Sequence, residues 1–236
     1  MPADLTWFDA LPSTMEAAHA RAVDGAVHGT TIVARQQIAG RGTRGRAWSS
    51  PRGGLWMSVV ARPSRTDALE ALSLRVGLAV AAALELAAPA LPRLAIKWPN
   101  DVVIDGRKLA GILCEARWGG SRCQWVVIGL GLNVRNEIPA ELARVAVALQ
   151  TWDPSAEPEL LAAPVAAAVA LASREAGPLT DAELRAFTLR DALSGAQVLE
   201  PFPGTAEGIT PGGALRIRTE AGVVRDVLAG VVAGPS

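Results

Sequence analysis

The chain has 236 residues, 50% hydrophobic and 19% charged, the composition of a folded globular protein with one sizeable core and room for a small second unit. Its 23 lysines and arginines balance 23 aspartates and glutamates, so the whole molecule exerts no general pull on nucleic acid, and any anion site must be local. The apolar runs near Val76–Leu91 and Leu160–Ala172 are broken by Glu85, Pro89 and Pro164 and fall short of the roughly 20 residues that span a bilayer, so no membrane partner is expected.

The opening Met-Pro-Ala-Asp-Leu-Thr-Trp has neither the basic nor the apolar part of a signal peptide, and the expected location is cytoplasmic. Leu5-Thr-Trp-Phe reads as a short strand. Ser13 and Glu16 then stand at capping-box spacing for a helix that runs to about Asp24 and stops at Gly25. Plain capping is the alternative to any ligand contact by Ser13 and Thr14. The β-branched run Thr30–Gln36 reads as a strand. It leads into Gln37-Ile-Ala-Gly-Arg-Gly-Thr-Arg-Gly-Arg-Ala-Trp48, where glycines 40, 42 and 45 alternate with arginines 41, 44 and 46. Glycine lets backbone turn sharply beside a ligand, and arginine offers a planar fork of donors to phosphate or carboxylate. The letters fit the dinucleotide fingerprint G-x-G-x-x-G, but that motif must open a helix, and here Trp48-Ser-Ser-Pro-Arg-Gly-Gly and a strand over Gly54–Arg62 come next. An anion-seeking loop held between two strands remains, free to close over a ligand.

Asp67 is placed to cap a long alanine–leucine helix ending around Ala88-Pro89. Asp105-Gly106, flanked by Val102-Val103-Ile104 and a second apolar stretch, signals a two-residue hairpin. With that turn Ile104 pairs with Arg107 and Val103 with Lys108, which puts Asp101 on the face of Val103, diagonal to Lys108. A lysine and a carboxylate then share one surface; the plain alternative is an exposed salt bridge worth ~0–1 kcal/mol. Gln124–Val134 reads as a third strand, in which Gly129 and Gly131 bare one face to a flat ligand and Asn133 suits a purine edge. The alternative is a bulge followed by a turn. Pro139–Leu149, Pro158–Glu175 and Thr180–Arg190 read as helices, Pro164 being tolerable only near a first turn or at a kink. From about Ala196 short strands and turns predict a small β-barrel packed on the main domain.

Cys114 and Cys123 are too few for a disulfide framework and, like His19 and His28, stand at no metal-ligand spacing. They are read as ordinary thiols and solvated imidazoles, with no metal ligands among them. No G-x-S-x-G elbow supports a serine nucleophile.

With these stretches in view, the sequence resembles the biotin protein ligases. Gln37-x-Ala-Gly-Arg-Gly-x-x-Gly-Arg-x-Trp is similar to their adenylate-binding loop, Lys97-Trp-Pro-Asn-Asp with Arg107-Lys-Leu-Ala-Gly-Ile to their most distinctive block, and Gly129-Leu-Gly-Leu-Asn-Val to a third. The resemblance implies an α+β fold: a mixed, mostly antiparallel sheet packed with helices, of the class II synthetase kind, over residues 1–192, and a small SH3-like β-barrel over 193–236. It implies adenylation of biotin by ATP, then attack of a carrier-protein lysine on biotinyl-5′-AMP. The partner is a biotin carboxyl carrier protein domain of a biotin-dependent carboxylase, and Mg²⁺ enters through the ATP phosphates rather than a protein cage. A carboxylate and a triphosphate repel, and each unit charge pair near 4 Å at an effective dielectric of 20 is worth about 4 kcal/mol. Arg41, Arg46 and Lys108 suit that task. By resemblance Ser13, Thr14, Gln37, the Gly40–Arg41 turn, Gly111 and Ile112 receive biotin. Arg41, Arg44, Arg46, Trp48, Asn100, Lys108 and Asn133 bind ATP or the adenylate, and Lys108, Arg46 and Asp101 carry the chemistry. Asp101 orients the incoming amine or accepts its proton.

Two positions depart from the family pattern. Thr43 stands where arginine is common in the loop that retains the adenylate, so that Arg44 substitutes or the adenylate escapes more easily. Met15 replaces an asparagine, removing one polar contact near biotin. The first ligase-like block begins by Trp7, which leaves no room for the helix-turn-helix of some relatives, so no DNA binding is expected. A lipoate- or octanoate-transferring enzyme on the same fold is the nearest alternative; a basic-loop nucleic-acid binder and a silent biotin or nucleotide sensor are others. The resemblance leaves monomer and sheet-edge homodimer both open.

Overall fold

The computed structural model describes residues 5–230 and 232. The signal-peptide reading of the first four residues, and the end of the C-terminal region at 231 and 233–236, lie outside them.

Seven strands form one sheet: β1 (Leu5–Phe8), β2 (Thr31–Ala34), β3 (Leu55–Ala61), β4 (Ala95–Lys97), β5 (Asp101–Ile104), β6 (Arg107–Gly119) and β7 (Arg122–Leu132). Their spatial order is β1-β2-β3-β7-β6-β5-β4, with β1 and β2 parallel and every other pair antiparallel. This is the expected mixed, mostly antiparallel sheet. Side chains alternate along a strand, and here the alternation sorts them into two cores. Ile32, Val60, Trp125 and Val127 pack under Met15, Ala18 and Ala22 of α1 (Thr14–Val23). Their neighbours Val33, Val59, Val126 and Ile128 join the larger core with α2 (Leu72–Ala87) and α3 (Pro158–Ala172). Covered on both sides, β3 is buried along its whole length.

Several local expectations hold. Helix α1 ends at Val23, with Gly25 at φ +88° just beyond it. The β5–β6 hairpin turns at Asp105 and Gly106, and pairs Ile104 with Arg107 and Val103 with Lys108. Helix α4 (Asp181–Thr188) starts from a capping box between Thr180 and Glu183. Pro164 lies well inside α3, but on its exposed side, where water can reach the Leu160 carbonyl that its missing N–H leaves unbonded.

Other expectations fail. Asp67 caps no helix; its carboxylate is held by Arg65 at 2.7 Å and 3.1 Å, and α2 starts only at Leu72 after a 3₁₀ turn. Pro139–Leu149 is no helix. Short 3₁₀ turns at Ala140–Leu142 and Leu149–Thr151 flank a stretch that pairs instead with the sheet: Lys108 N donates to Val145 O (2.7 Å) and Val147 N to Lys108 O (3.0 Å).

The C-terminal strands β8 (Gln197–Val198), β9 (Gly204–Ile209), β10 (Leu215–Arg218) and β11 (Val224–Val227) form a separate antiparallel sheet in the order β11-β10-β9-β8. It is not detached. Leu215, Ile217 and Ala206 belong to the same hydrophobic core as α2, and the buried Trp98 indole donates to Gly213 O at 2.8 Å. At Gly213, φ is +88° and an added Cβ would lie 2.8 Å from Ala71 Cα, so only glycine lets the two parts close. Among the described residues no helix is long and apolar enough to cross a membrane.

Two ion pairs tie α2 to α4 and the residues on either side of it. Arg190 holds both carboxylate oxygens of Glu85 (2.6 Å and 2.7 Å), and Arg75 holds Glu183 while also donating to the carbonyls of Glu175, Gly177 and Pro178. The Arg190 bond holds the Glu85 carboxyl below the usual carboxylate range, against the opposing effect of burial. A depressed carboxylate stabilises the fold fully above the unfolded glutamate value, about pH 4.3, and that contribution is lost as pH falls from there through the lower folded value. Glu85→Gln should therefore cost about 1.5–3 kcal/mol at neutral pH, the range for a charge-assisted hydrogen bond. It should also flatten the acid limb of stability in urea titrations run from pH 7 to pH 3; an unchanged acid limb contradicts this account.

Candidate active site

The α1 side of the sheet is not filled throughout. Past the end of the helix packing lies a cavity of about 440 Å³, within the roughly 300–1,000 Å³ usual for small-molecule sites. Its floor is bare backbone. Gly111 on β6 pairs with Gly131 on β7, and Gly129 pairs with Ser58 on β3, so three glycines face the space together. No bulge interrupts β7 there, which removes the bulge reading of Gly129 and Gly131. An added Cβ at Gly131 would lie 2.5 Å from Trp48 Nε1, and one at Gly129 would lie 2.6 Å from Met15 Sδ. At Gly111 it would meet Lys108 Cε at 3.0 Å and the Trp48 ring at 3.1 Å. The indole and the lysine lie on this floor because it carries no side chains, and Lys108 Nζ sits 4.8 Å from the Trp48 ring centre.

One wall is the start of α1. Ser13 has the backbone of an N-cap, yet its hydroxyl bonds no helix N–H; the expected capping box with Glu16 does not form. The Thr14 N–H is capped from across the fold by Gln37 Oε1 at 2.8 Å. The Thr14 hydroxyl donates to the same oxygen (3.0 Å) and accepts from Ser58 (2.8 Å), while Gln37 Nε2 donates to Ser50 Oγ (2.8 Å). Gln37 thus ties the glycine–arginine loop to the helix.

The loop forms the second wall. Gly42 N to Arg46 O and Trp48 N to Gly40 O, both 2.8 Å, fold it into a narrow ribbon with a 3₁₀ turn at Thr43–Gly45. Arg41, Arg46 and Trp48 border the cavity; Gly40 and the exposed Arg44, at φ +60°, do not. Gly40 earns its place sterically, since a Cβ would lie 2.5 Å from Trp48 O.

The β5–β6 hairpin closes the far side. Lys108 Nζ lies 2.6 Å from Asp101 Oδ1, the juxtaposition expected from the register. The contact has ion-pair distance without hydrogen-bond alignment. Asn100 fixes the crossing of the strands, donating from Nδ2 to Ile112 O (2.7 Å) and accepting from Ile112 N (2.9 Å) at its carbonyl. Asn133, 6% exposed, accepts from Asn136 Nδ2 at 3.1 Å.

Three buried polar atoms among the described residues have no hydrogen-bond partner: Ser13 Oγ, Trp48 Nε1 and Asp101 Oδ1. All three residues line this one cavity. Four cations (Arg41, Arg46, Lys97, Lys108) face it against two acids (Asp101, Glu137), so a chain of zero net charge holds a locally positive site. Unpaired donors, a flat floor and excess positive charge fit an anionic ligand with a planar part. No group of three or more histidine, cysteine, aspartate or glutamate side chains placed to hold a metal occurs among the described residues. Burial pushes the Cys114 thiol up to about 12, which removes it as a nucleophile.

Sequence reasoning missed two parts of the wall. Lys97, the cross-strand partner of Asp101, was visible inside its motif but had no role. The apolar stretch Ile138, Pro139, Leu142 and Val145 was hidden by the helical reading of that segment. Neither histidine is a solvated imidazole: His28 Nε2 lies 2.7 Å from Ala170 O, and His19 lies between Trp125 and Glu115.

Comparison with known proteins places these features in company. Residues 7–133 match the biotin/lipoate A/B protein ligase family, and residues 199–233 match the biotin protein ligase C-terminal domain. The chain is 41% identical over 150 residues to the bifunctional ligase/repressor BirA of Bacillus subtilis (strain 168), covering 61% of this chain and 46% of that protein. It is 48% identical over 105 residues to a biotin–[acetyl-CoA-carboxylase] ligase of Paracoccus denitrificans, covering 44% and 43%. The chain thus spans under half the length of these curated relatives. Among solved structures, the biotin protein ligase of Aquifex aeolicus in complex with biotin and ATP superposes with a TM-score of 0.82 at 26% identity, covering 98% of this chain and 97% of that one.

The bare floor has a direct test. Gly131→Ala should drive the indole off β7 and shift the Trp48 side-chain N–H resonance, identified by its disappearance in Trp48→Phe. A resonance that stays in place would show that the indole does not rest on Gly131.

Proposed function

Because the chain belongs to the biotin/lipoate A/B protein ligase family, we propose that it joins biotin to a lysine of a biotin carboxyl carrier protein domain in two steps. In the first, a biotin carboxylate oxygen attacks the α-phosphorus of ATP, the bond to the β-phosphate oxygen breaks, and pyrophosphate leaves. In the second, the carrier lysine attacks the acyl carbon of biotinyl-5′-AMP, AMP leaves, and the amine loses a proton. The observation that carries this reading is the convergence of two buried donors without partners, Ser13 Oγ and Trp48 Nε1, with the Lys108–Asp101 ion pair in one positive cavity floored by Gly111, Gly129 and Gly131.

The residues take roles that their surroundings support. Ser13 and Thr14, with Gln37 holding Thr14 and with Arg41, Gly111 and Ile112 alongside, receive the biotin head, while Gly40 shapes the turn behind Trp48. Met15 offers sulfur and methylene where the family pattern has an amide, an apolar surface against Gly129. Lys108 sits between carboxylate and α-phosphate, exchanging Asp101 for the ligand, and Arg41 and Arg46 meet phosphate oxygens. These cations act where charge develops, in a partly enclosed site where their effect exceeds that in water. Trp48 walls the adenine and Asn133 reads its edge; Asn100 keeps Oδ1 for the adenylate while its amide nitrogen holds Ile112. Asp101, relieved of Lys108, orients the incoming ammonium and accepts its proton, without which it cannot attack. Mg²⁺ fits as a partner of the ATP phosphates rather than of a protein cage; it neutralises phosphate charge.

The runner-up is lipoate or octanoate transfer on the same fold. The match over residues 199–233 to the biotin protein ligase C-terminal domain favours biotin. Residues 1–192, the catalytic part, and 193–236, the SH3-like part, are proposed as the two functional domains. We place the protein in the cytoplasm with neither nucleic acid nor membrane as partner. For a homodimer, the outer edge of β6 beyond Ile112, which neither β5 nor Asn100 pairs with, is the edge proposed.

Mass spectrometry of a biotin carrier domain incubated with the protein, ATP, Mg²⁺ and biotin tests this directly, with lipoate in a parallel reaction. The wild type should add one biotin, and Lys108→Ala should lower the rate at least 100-fold, as loss of a transition-state charge partner does. Lipoate transfer in place of biotin would establish the runner-up, and absence of both products and of biotinyl-AMP would remove the ligase reading. If Arg44 substitutes for the arginine replaced by Thr43, Arg44→Ala should raise release of free biotinyl-AMP; unchanged release would leave the loop without that device.

A further inference from the structure

Outside the cavity, a line of polar contacts runs from the back of α1 to the glycine–arginine loop. The Trp125 indole, 9% exposed, donates to His19 Nδ1 at 3.1 Å, and His19 Nε2 lies 3.1 Å from Glu115 Oε2. The same oxygen lies 3.7 Å from Arg41 Nη2. An indole N–H can only donate, so His19 Nδ1 must accept and Nε2 carries the hydrogen given to Glu115. The two hydrogen bonds then have one consistent direction, from Trp125 through His19 to a carboxylate that lies at ion-pair distance from Arg41. The indole is itself fixed: Arg62 lies 5.8 Å from its ring while donating to the carbonyls of Ala22 (2.8 Å), Ala26 (2.9 Å) and Gln124 (3.2 Å).

Glu115 makes no wall of the cavity, but Arg41 does. A carboxylate close behind an anion-binding arginine weakens the local positive potential, so electrostatics alone argues against it. Its geometry supplies the reason. An arginine side chain left free carries about 2 kcal/mol of rotamer entropy that a ligand must remove, and a carboxylate at ion-pair distance removes part of it beforehand. We propose that Glu115 is a positioning residue for the adenylation step: held by His19 and Trp125, it fixes the Arg41 guanidinium at the wall where the phosphates of ATP arrive. The proposal rests on the ligase reading given above.

The experiment measures biotinyl-AMP formation at varied ATP and varied biotin for the wild type, Glu115→Gln, Glu115→Asp, Arg41→Ala and the double variant Glu115→Gln/Arg41→Ala. Glu115→Gln keeps the shape and loses the charge, at a half-exposed position where folding should tolerate it. It should raise the KM for ATP about fivefold, the upper end for a half-exposed ion pair, with the KM for biotin and the thermal midpoint unchanged. Glu115→Asp should recover part of the loss. The double variant should match Arg41→Ala, because Glu115 has no effect left once Arg41 is gone. An unchanged KM for ATP in Glu115→Gln, or full additivity in the double variant, overturns the positioning role while leaving the ligase reading intact. A wild type that forms no biotinyl-AMP overturns that reading and this role with it.

Discussion

The register of the β5–β6 hairpin is the constraint on which the site depends. Lys108 meets Asp101 because the chain reverses in two residues at Asp105 and Gly106, which pairs Val103 with Lys108, and Gly111 joins them because the pairing then slips by one residue between Val102 and Val103. A slip of that kind turns side chains to the other face of a sheet. The backbone of Lys108, released from β5, is taken up by Val145 and Val147, so the lysine is anchored by three segments of chain rather than one. Without the slip, Gly111 and Lys108 would not share the same side of the sheet with Gly131 and Trp48.

Charge is arranged with similar economy. Outside the cavity several cations are closely paired: Arg75 with Glu183, Arg190 with Glu85, Arg65 with Asp67, Arg218 with Glu207. Inside the cavity the pairing is incomplete. Asp101 answers Lys108, Thr43 alone meets Arg46 at 3.3 Å, and Glu115 meets Arg41 from behind. Arg46, held only by a hydroxyl, can turn to an arriving phosphate at little cost, whereas a tightly forked pair such as Arg190 with Glu85 would have to be broken first.

Much of this was legible in the sequence where the signal is local. Asp105-Gly106 gave away its hairpin and register, the glycines of β7 gave away a bare face, and the loop gave away its appetite for anions. What stayed hidden depends on neighbours distant in the chain. Ser13 and Glu16 have the spacing of a capping box, but the helix start is capped by Gln37, so the hydroxyl is left for the cavity. The stretch after Pro139 has helical composition, but the open backbone of Lys108 captures it as an added strand, an instance of pairing overriding propensity. His19 looks like any surface histidine until Trp125 and Glu115 arrive from two other strands.

The motif Lys97-Trp-Pro-Asn-Asp reads as chemistry, yet its second residue does mechanical work. Lys97 and Asp101 face the cavity, while Trp98 between them is buried in the opposite core and reaches Gly213 at the edge of the C-terminal sheet. The same five residues therefore answer to two masters. A lesion at the start of β10 has a mechanical path to Asp101 through the Trp98 indole, and a residue in the middle of a chemical motif serves as a fastener between two sheets.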